Sequence, residues 1–193
     1  MLTFFFVRDH KRDYRFFSSE PPKPPDLKRS KVKEGWEFAK KKLMLLPQKT
    51  LRQELAFARA LKLKDPVVKI LYSGFSDEKR INFWFHVFLQ KHRTKRLFIL
   101  IGEAIILPFT ALTVPLPGPN VTFYALALLI ITHWQSFRGV HALLKKKRDF
   151  EAAPLLAEWE DAVKAHAEDR YPDILARLER EYALVNLRKV LWK

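Results

Sequence analysis

Residues 97 to 137 read LFILIGEAIILPFTALTVPLPGPNVTFYALALLIITHWQSF, and this stretch decides the fold expected from the sequence. Its one charged side chain is Glu103, whereas both flanks are rich in Lys and Arg. Two apolar segments, 97–114 and 121–137, are each about long enough to cross the hydrocarbon of a bilayer as a helix. The sequence therefore predicts a transmembrane helical hairpin.

A proline-rich turn separates the two apolar segments. Its core is Pro117, Gly118, Pro119 and Asn120, a run that cannot be helical throughout. A re-entrant hairpin is the alternative to a spanning one, because Pro108 interrupts the first segment.

Charge is distributed unevenly along the chain. The sequence holds 36 Lys and Arg against 21 Asp and Glu, a net charge of +15, and residues 1–96 alone carry 24 basic and 10 acidic side chains. By the positive-inside rule, both termini are expected on the same, cytoplasm-equivalent side of the membrane. The basic flanks also predict a bilayer with anionic headgroups as partner. No nucleic acid partner is expected, because a basic patch for nucleic acid does not explain the apolar block.

The rest of the chain completes a mainly α membrane protein. Aromatic runs near the N-terminus predict a small β-hairpin, followed by a Pro-rich linker. Helical spacing in the tail predicts two soluble helices at about 153–168 and 172–192, and Pro66 to Tyr72 is expected to form a short helix. The expected domains are 1–26 (β-hairpin and linker), 27–96 (basic amphipathic helices), 97–137 (hairpin) and 138–193 (basic segment and C-terminal helices).

Three tryptophans are candidate interface anchors: Trp36, Trp84 and Trp134. Indole rings favour the headgroup level of a bilayer because one end is apolar and the other polar. The helix around Trp36 is basic and amphipathic, which suits a bilayer interface. The alternative is a helix packed on its own domain with solvated Lys side chains.

The sequence offers little for catalysis. It has no Cys, which excludes disulfides and thiol chemistry, and its six His are scattered. It contains no Gly-rich phosphate loop and no GxSxG motif, so we expect no enzyme, no cofactor and no metal site.

Glu103 is the candidate ion or proton group, because ionisable residues inside apolar membrane segments are usually functional. His133 is its candidate partner, since both lie toward the basic side of the hairpin. The alternatives are a Glu103 near the headgroups or bonded to a neighbouring helix, and a His133 that is only an interfacial anchor.

The residues around the turn resemble a known family. Residues 115–124, PLPGPNVTFY, with Thr132-His133-Trp134 and Gly139, resemble the mitochondrial potassium/proton exchange-related proteins. Upstream, KEGW at 33–36, KHRTKR at 91–96 and the N-terminal aromatic runs fit the same pattern. The family's Arg in the second segment is replaced here by Leu129, and its Ser before His-Trp by Thr132.

The resemblance implies a small integral protein of a bacterial plasma membrane or mitochondrial inner membrane that supports or regulates monovalent cation (potassium)/proton exchange. Both termini would then lie on the cytoplasm or matrix side. Two spans cannot enclose a pathway, so it is not expected to be an autonomous transporter, and a homo-oligomer or a membrane protein partner is expected. The alternative function is a membrane-anchored structural module that docks a basic domain on anionic lipid or a ribosome.

Overall fold

The computed structural model describes residues 2–18, 56–58, 60–61, 67–111, 121–184 and 187–192. The chain divides into two compact units. The first unit comprises Met1–Pro21, Leu63–Leu89 and Leu143–Lys193, and the second comprises Pro22–Lys62 and Gln90–Ala142.

A mixed four-stranded sheet forms the centre of the first unit. Its strands are β1 (Leu2–Arg8), β2 (Tyr14–Ser18), β3 (Val67–Tyr72) and β4 (Lys147–Ala152), in the spatial order β2-β1-β3-β4. β1 pairs antiparallel with β2 and parallel with β3, and β3 pairs parallel with β4. The two N-terminal aromatic runs therefore do form a hairpin, but as half of a larger sheet.

Alternation along β1 sends apolar side chains to both faces of the sheet. On one face, Phe4 packs against Phe85 with ring centroids 5.1 Å apart, and Phe85 belongs to helix α1 (Glu78–Ala111). On the other face, Phe5 and Val7 belong to a buried cluster with the C-terminal helices. Both faces are thus covered, as is usual for sheets with parallel strands.

The C-terminal helices follow β4 directly. They are α3 (Pro154–Lys164), a single 3-10 turn (Glu168–Arg170), α4 (Tyr171–Glu181) and α5 (Leu187–Leu191). Pro154 and Pro172 lie in first turns, where a missing N–H costs nothing. Trp159 is fully buried and its ring centroid lies 4.9 Å from that of Tyr171, which joins α3 to α4.

The second unit contains the remainder of α1, most of helix α2 (Val121–Lys145), and helical residues at 56–58. Phe57 is fully buried there, and the guanidinium carbon of Arg96 lies 4.6 Å from the centre of its ring. Gly139 of α2 lies against the backbone of Phe57: an added Cβ would be 1.7 Å from the Phe57 carbonyl oxygen. Segment 56–58 therefore contacts both long helices.

The expected mainly α membrane fold with a transmembrane hairpin is wrong. In the described parts of the chain, no helix is long and apolar enough to cross a membrane. The charged run Lys91 to Arg96 belongs to the same helix as Leu97, which leaves about 15 residues to Ala111, or roughly 22 Å. A span needs about 20 apolar residues. In α2, His133, Gln135 and Ser136 dilute the apolar run.

The expected membrane location is corrected together with the expected fold. An integral protein of a bacterial plasma membrane or mitochondrial inner membrane, with both termini on the cytoplasm or matrix side, is not supported, because it required spanning helices. The membrane and transmembrane description of the 97–137 hairpin is corrected for the same reason. Pro108 does not end the first helix, which continues through it to Ala111.

Four secondary-structure expectations also change. Residues 67–72, expected as part of a short helix, form β3, and β4 forms where only a basic segment was expected. The helix expected at 153–168 ends at Lys164, and the one expected at 172–192 is two helices, α4 and α5. Strand β3 contains two adjacent Val residues and lies between β1 and β4, so pairing on both sides outweighs the helical signals of the flanking Pro66 and Gly74.

Candidate functional site

Glu103 and His133 are brought together in the second unit. His133 Nδ1 lies 2.7 Å from Glu103 Oε1, and the two side chains are 15% and 12% exposed. Glu103 Oε2 is buried and has no hydrogen-bond partner among the described residues. The contact joins α1 to α2 in a mostly apolar setting. Its role in ion or proton exchange stays a prediction.

The other residues predicted from the sequence are the three tryptophans and the four turn residues. Trp84 and Trp134 are each about half exposed, in the first and second unit respectively. Trp134 stacks on Phe137 with ring centroids 5.8 Å apart. Trp36 and the turn residues Pro117, Gly118, Pro119 and Asn120 lie outside the described residues. The anchoring role of the tryptophans stays a prediction.

Helix α1 presents a broad apolar surface in the second unit. Phe98 and Phe109 are 69% and 68% exposed. Trp134 and Ile131 of α2 are also exposed. We call the following residues the apolar face: Leu97, Phe98, Ile101, Ile105, Ile106 and Phe109 of α1, all exposed large side chains. Soluble proteins rarely leave so many large apolar side chains together in water without a partner.

Basic side chains precede the apolar face on α1 and recur on α2. We call them the basic collar: Lys91, Arg93, Lys95 and Arg138. Lys91, Lys95 and Arg138 are exposed, and Arg93 is partly exposed. The sequence shows both groups, but only the structure shows that the collar and the apolar face reach solvent.

His92 and Arg96 differ from the collar because they pack inward. The His92 ring lies 5.4 Å from that of Phe57, and Arg96 is buried. Burial, with further contributions from Arg96, Lys95 and Lys91, lowers the pKa of His92 from 6.5 to about 4. His92 is therefore neutral at pH 7 in the midst of a basic run. Nothing in the KHRTKR string distinguishes it from its solvated neighbours.

Two carbonyl groups at the carboxyl edge of the sheet in the first unit are bonded within the chain. This edge consists of the last residues of the parallel strands: Arg8, Tyr72 and Ala152. Open sheets with parallel strands bind ligands there. The Tyr72 carbonyl accepts from Ala153 N–H at 2.7 Å, which continues the β3–β4 ladder, and the Arg8 carbonyl accepts from Trp159 Nε1–H of α3 at 2.7 Å. Helix α3 therefore contacts this edge at the end of β1.

No candidate metal site occurs in the described ranges, because no three His, Asp or Glu side chains within them lie close enough to hold an ion together.

Comparison with known proteins adds no relative. No protein-family model, no curated protein and no solved structure matches the chain. The resemblance to the potassium/proton exchange-related family therefore stays a prediction.

Proposed function

We propose that this protein attaches to the surface of an anionic phospholipid bilayer through the apolar face and the basic collar, without crossing the bilayer. The observation that carries the proposal is the apolar face itself, whose Phe98 and Phe109 are more than two-thirds exposed. Leaving such surface in water costs roughly 25 cal/mol per Å², so a partner that covers it is strongly favoured.

The width of the apolar face favours lipid over a single protein helix. At 3.6 residues per turn, Leu97 and Ile106 lie on opposite sides of α1, and the other members fall between them, so the face covers about half of the helix circumference. A helix–helix seam uses a narrower stripe. Acyl chains adapt to any exposed side chain and can cover the whole arc.

The basic collar supports an anionic rather than a neutral surface. Lys91 and Lys95 lie six and two residues before Leu97 on α1, and Arg138 is exposed on α2. Each basic residue close to an anionic membrane contributes about 1 kcal/mol. Long basic side chains also extend toward headgroups while their carbon stems remain on apolar surface.

This mode of attachment requires no spanning helix. Helices that lie in the interface place their apolar side chains at the boundary between headgroups and acyl chains, with polar residues facing water. The half-exposed Trp134 suits the same level. The partner is thus still the anionic bilayer expected from the sequence, but the protein attaches to its surface without a transmembrane hairpin.

Vesicle flotation tests the proposal. The full chain is mixed with vesicles of phosphatidylcholine alone, or of phosphatidylcholine with about 30% phosphatidylglycerol, and bound protein is measured across a salt series. The test variant is Phe98→Gln/Phe109→Gln. Removing two largely exposed Phe rings from the contact is expected to weaken binding roughly 30- to 150-fold, since each contributes about 1–1.5 kcal/mol.

A matched control is Phe83→Gln, which changes an equally exposed aromatic of α1 that lies in the first unit, outside the apolar face. The control is expected to bind like the native chain. Equal binding of native chain and double variant would refute the proposal. Absence of vesicle binding, with a dimer that the double variant dissociates, would assign the apolar face to a second copy instead.

A further inference from the structure

Glu160 of α3 is fully buried, and it bonds both the end of β1 and the residue that follows β3. Its Oε1 accepts the backbone N–H of Arg8 at 3.3 Å, and the Ser73 hydroxyl also bonds the carboxyl group. Its Oε2 is buried and has no hydrogen-bond partner among the described residues. A buried charged carboxylate with an unbonded oxygen is costly, whereas a protonated one is tolerated.

Arg8 is held to α3 through both of its backbone groups. Its N–H donates to Glu160, and its carbonyl accepts from Trp159 Nε1 at 2.7 Å. These adjacent side chains therefore fasten α3 to the end of β1.

Two positively charged side chains near Glu160 offset only part of the cost of burying its charged carboxylate. Arg8 comes from β1 and Lys164 from α3 itself, and each favours the charged carboxylate. However, the Arg8 guanidinium lies over the Tyr14 ring at 4.5 Å, and Lys164 Nζ lies over the Phe75 ring at 3.5 Å. Burial is the larger effect, and it raises the pKa of Glu160 above its usual value of 4.5.

We propose that Glu160 is a proton-operated latch that fastens α3 to the end of β1. The protonated carboxyl fits the closed site. Loss of the proton favours an open form in which the hydrogen bond from Arg8 N–H is broken and water reaches the carboxylate.

The direction of the pH effect follows from linkage. The closed form binds the Glu160 proton more tightly than the open form, so raising the pH through the closed-form pKa favours opening. The closed-to-open ratio falls by up to tenfold per pH unit in that range. At pH values below the ordinary glutamate pKa, both forms are protonated and the latch contributes its full stabilisation.

Amide hydrogen exchange at Arg8 tests the latch. Its protection factor, corrected for the intrinsic base-catalysed rate, is measured by NMR between pH 4 and 9 in the native chain, Glu160→Gln and Glu158→Gln. Glu158 is a partly exposed carboxylate on the same helix that pairs with Arg177 at 2.9 Å, so it is the matched control. The 13C shift of the Glu160 carboxyl is followed in the native chain.

In the native chain and in Glu158→Gln, the Arg8 protection factor is expected to fall as the pH rises. The midpoint of this fall should coincide with the midpoint of the Glu160 carboxyl titration. Glu160→Gln should hold the factor constant, because the amide oxygen still accepts from Arg8 and does not ionise. The latch is refuted if Arg8 protection stays flat while Glu160 titrates, or if Glu160→Gln shows the native pH dependence. If the Gln variant does not fold, coincidence of the two native midpoints decides.

Discussion

Replacing Gly139 by Ala has two opposing effects on stability. It disrupts close packing against a neighbouring backbone segment, and it improves helix propensity. Gly139 lies inside α2, where Ala is intrinsically better than Gly by about 1 kcal/mol. The added Cβ would nevertheless lie 1.7 Å from the Phe57 carbonyl oxygen and 2.4 Å from its carbonyl carbon. Both are backbone atoms, so no side-chain rotation relieves the contact, and segment 56–58 must shift by more than about 1 Å.

The magnitude follows from two costs and one gain. Forcing a methyl group into a packed site costs about 1–3 kcal/mol. Moving the segment also exposes part of the fully buried Phe57 ring, at about 1–2 kcal/mol. Subtracting the propensity gain of about 1 kcal/mol leaves an expected destabilisation of about 2 kcal/mol.

Urea unfolding followed by far-UV circular dichroism measures this difference, and hydrogen exchange over residues 56–61 locates it. The control is Gly102→Ala in α1, where an added Cβ has no atom within 4 Å. That variant is expected to be as stable as the native chain or up to about 1 kcal/mol more stable. If Gly139→Ala is stabilised to the same extent as Gly102→Ala, the close packing of segment 56–58 on α2 is wrong.

Two further predictions concern the second unit. Because the pKa of His92 is lowered to about 4, the folded chain binds fewer protons than the unfolded chain between pH 4 and 6.5. The free energy of unfolding should therefore fall by at most about 3 kcal/mol as the pH drops through that window. Urea midpoints against pH should show a flatter acid limb for His92→Gln but not for the exposed His141→Gln, and an unchanged limb in His92→Gln contradicts the inward placement. A double-mutant cycle with Glu103→Gln and His133→Gln should give a coupling of about 1 kcal/mol, and a value near zero would show that the pair contributes nothing in solution.

Local signals in the sequence were sufficient for some elements. The two aromatic runs at residues 2–8 and 14–18 indicate strands joined by a short turn, because alternation and turn chemistry are local properties. The proximity of Glu103 and His133 follows from folding two apolar helices back on each other, and the structure shows that contact. The identity of the sheet partners of β1 was not accessible, since β3 lies about 60 residues further along the chain.

Other features depend on tertiary packing that no local pattern records. Strand β4 is charged and reads as a solvated segment, yet it pairs with β3 along its whole length. Glu160 lies in an ordinary amphipathic helix, and its burial follows from the position of α3 over Arg8. The composition of the apolar block at 97–137 predicts a spanning hairpin, because composition does not show that the helix through Leu97 begins at Glu78.

The parallel pairing of β3 with β4 sets an order for synthesis on the ribosome. The β1–β2 hairpin can form once about twenty residues have emerged, whereas β3 must wait for β4, some eighty residues later, to cover its second side. Until then, the edge of β3 that pairs with β4 is exposed on an incomplete chain. Long-range pairing of this kind slows folding and prolongs exposure of apolar surface. The nascent chain should therefore depend on chaperones most strongly between emergence of β3 and emergence of β4.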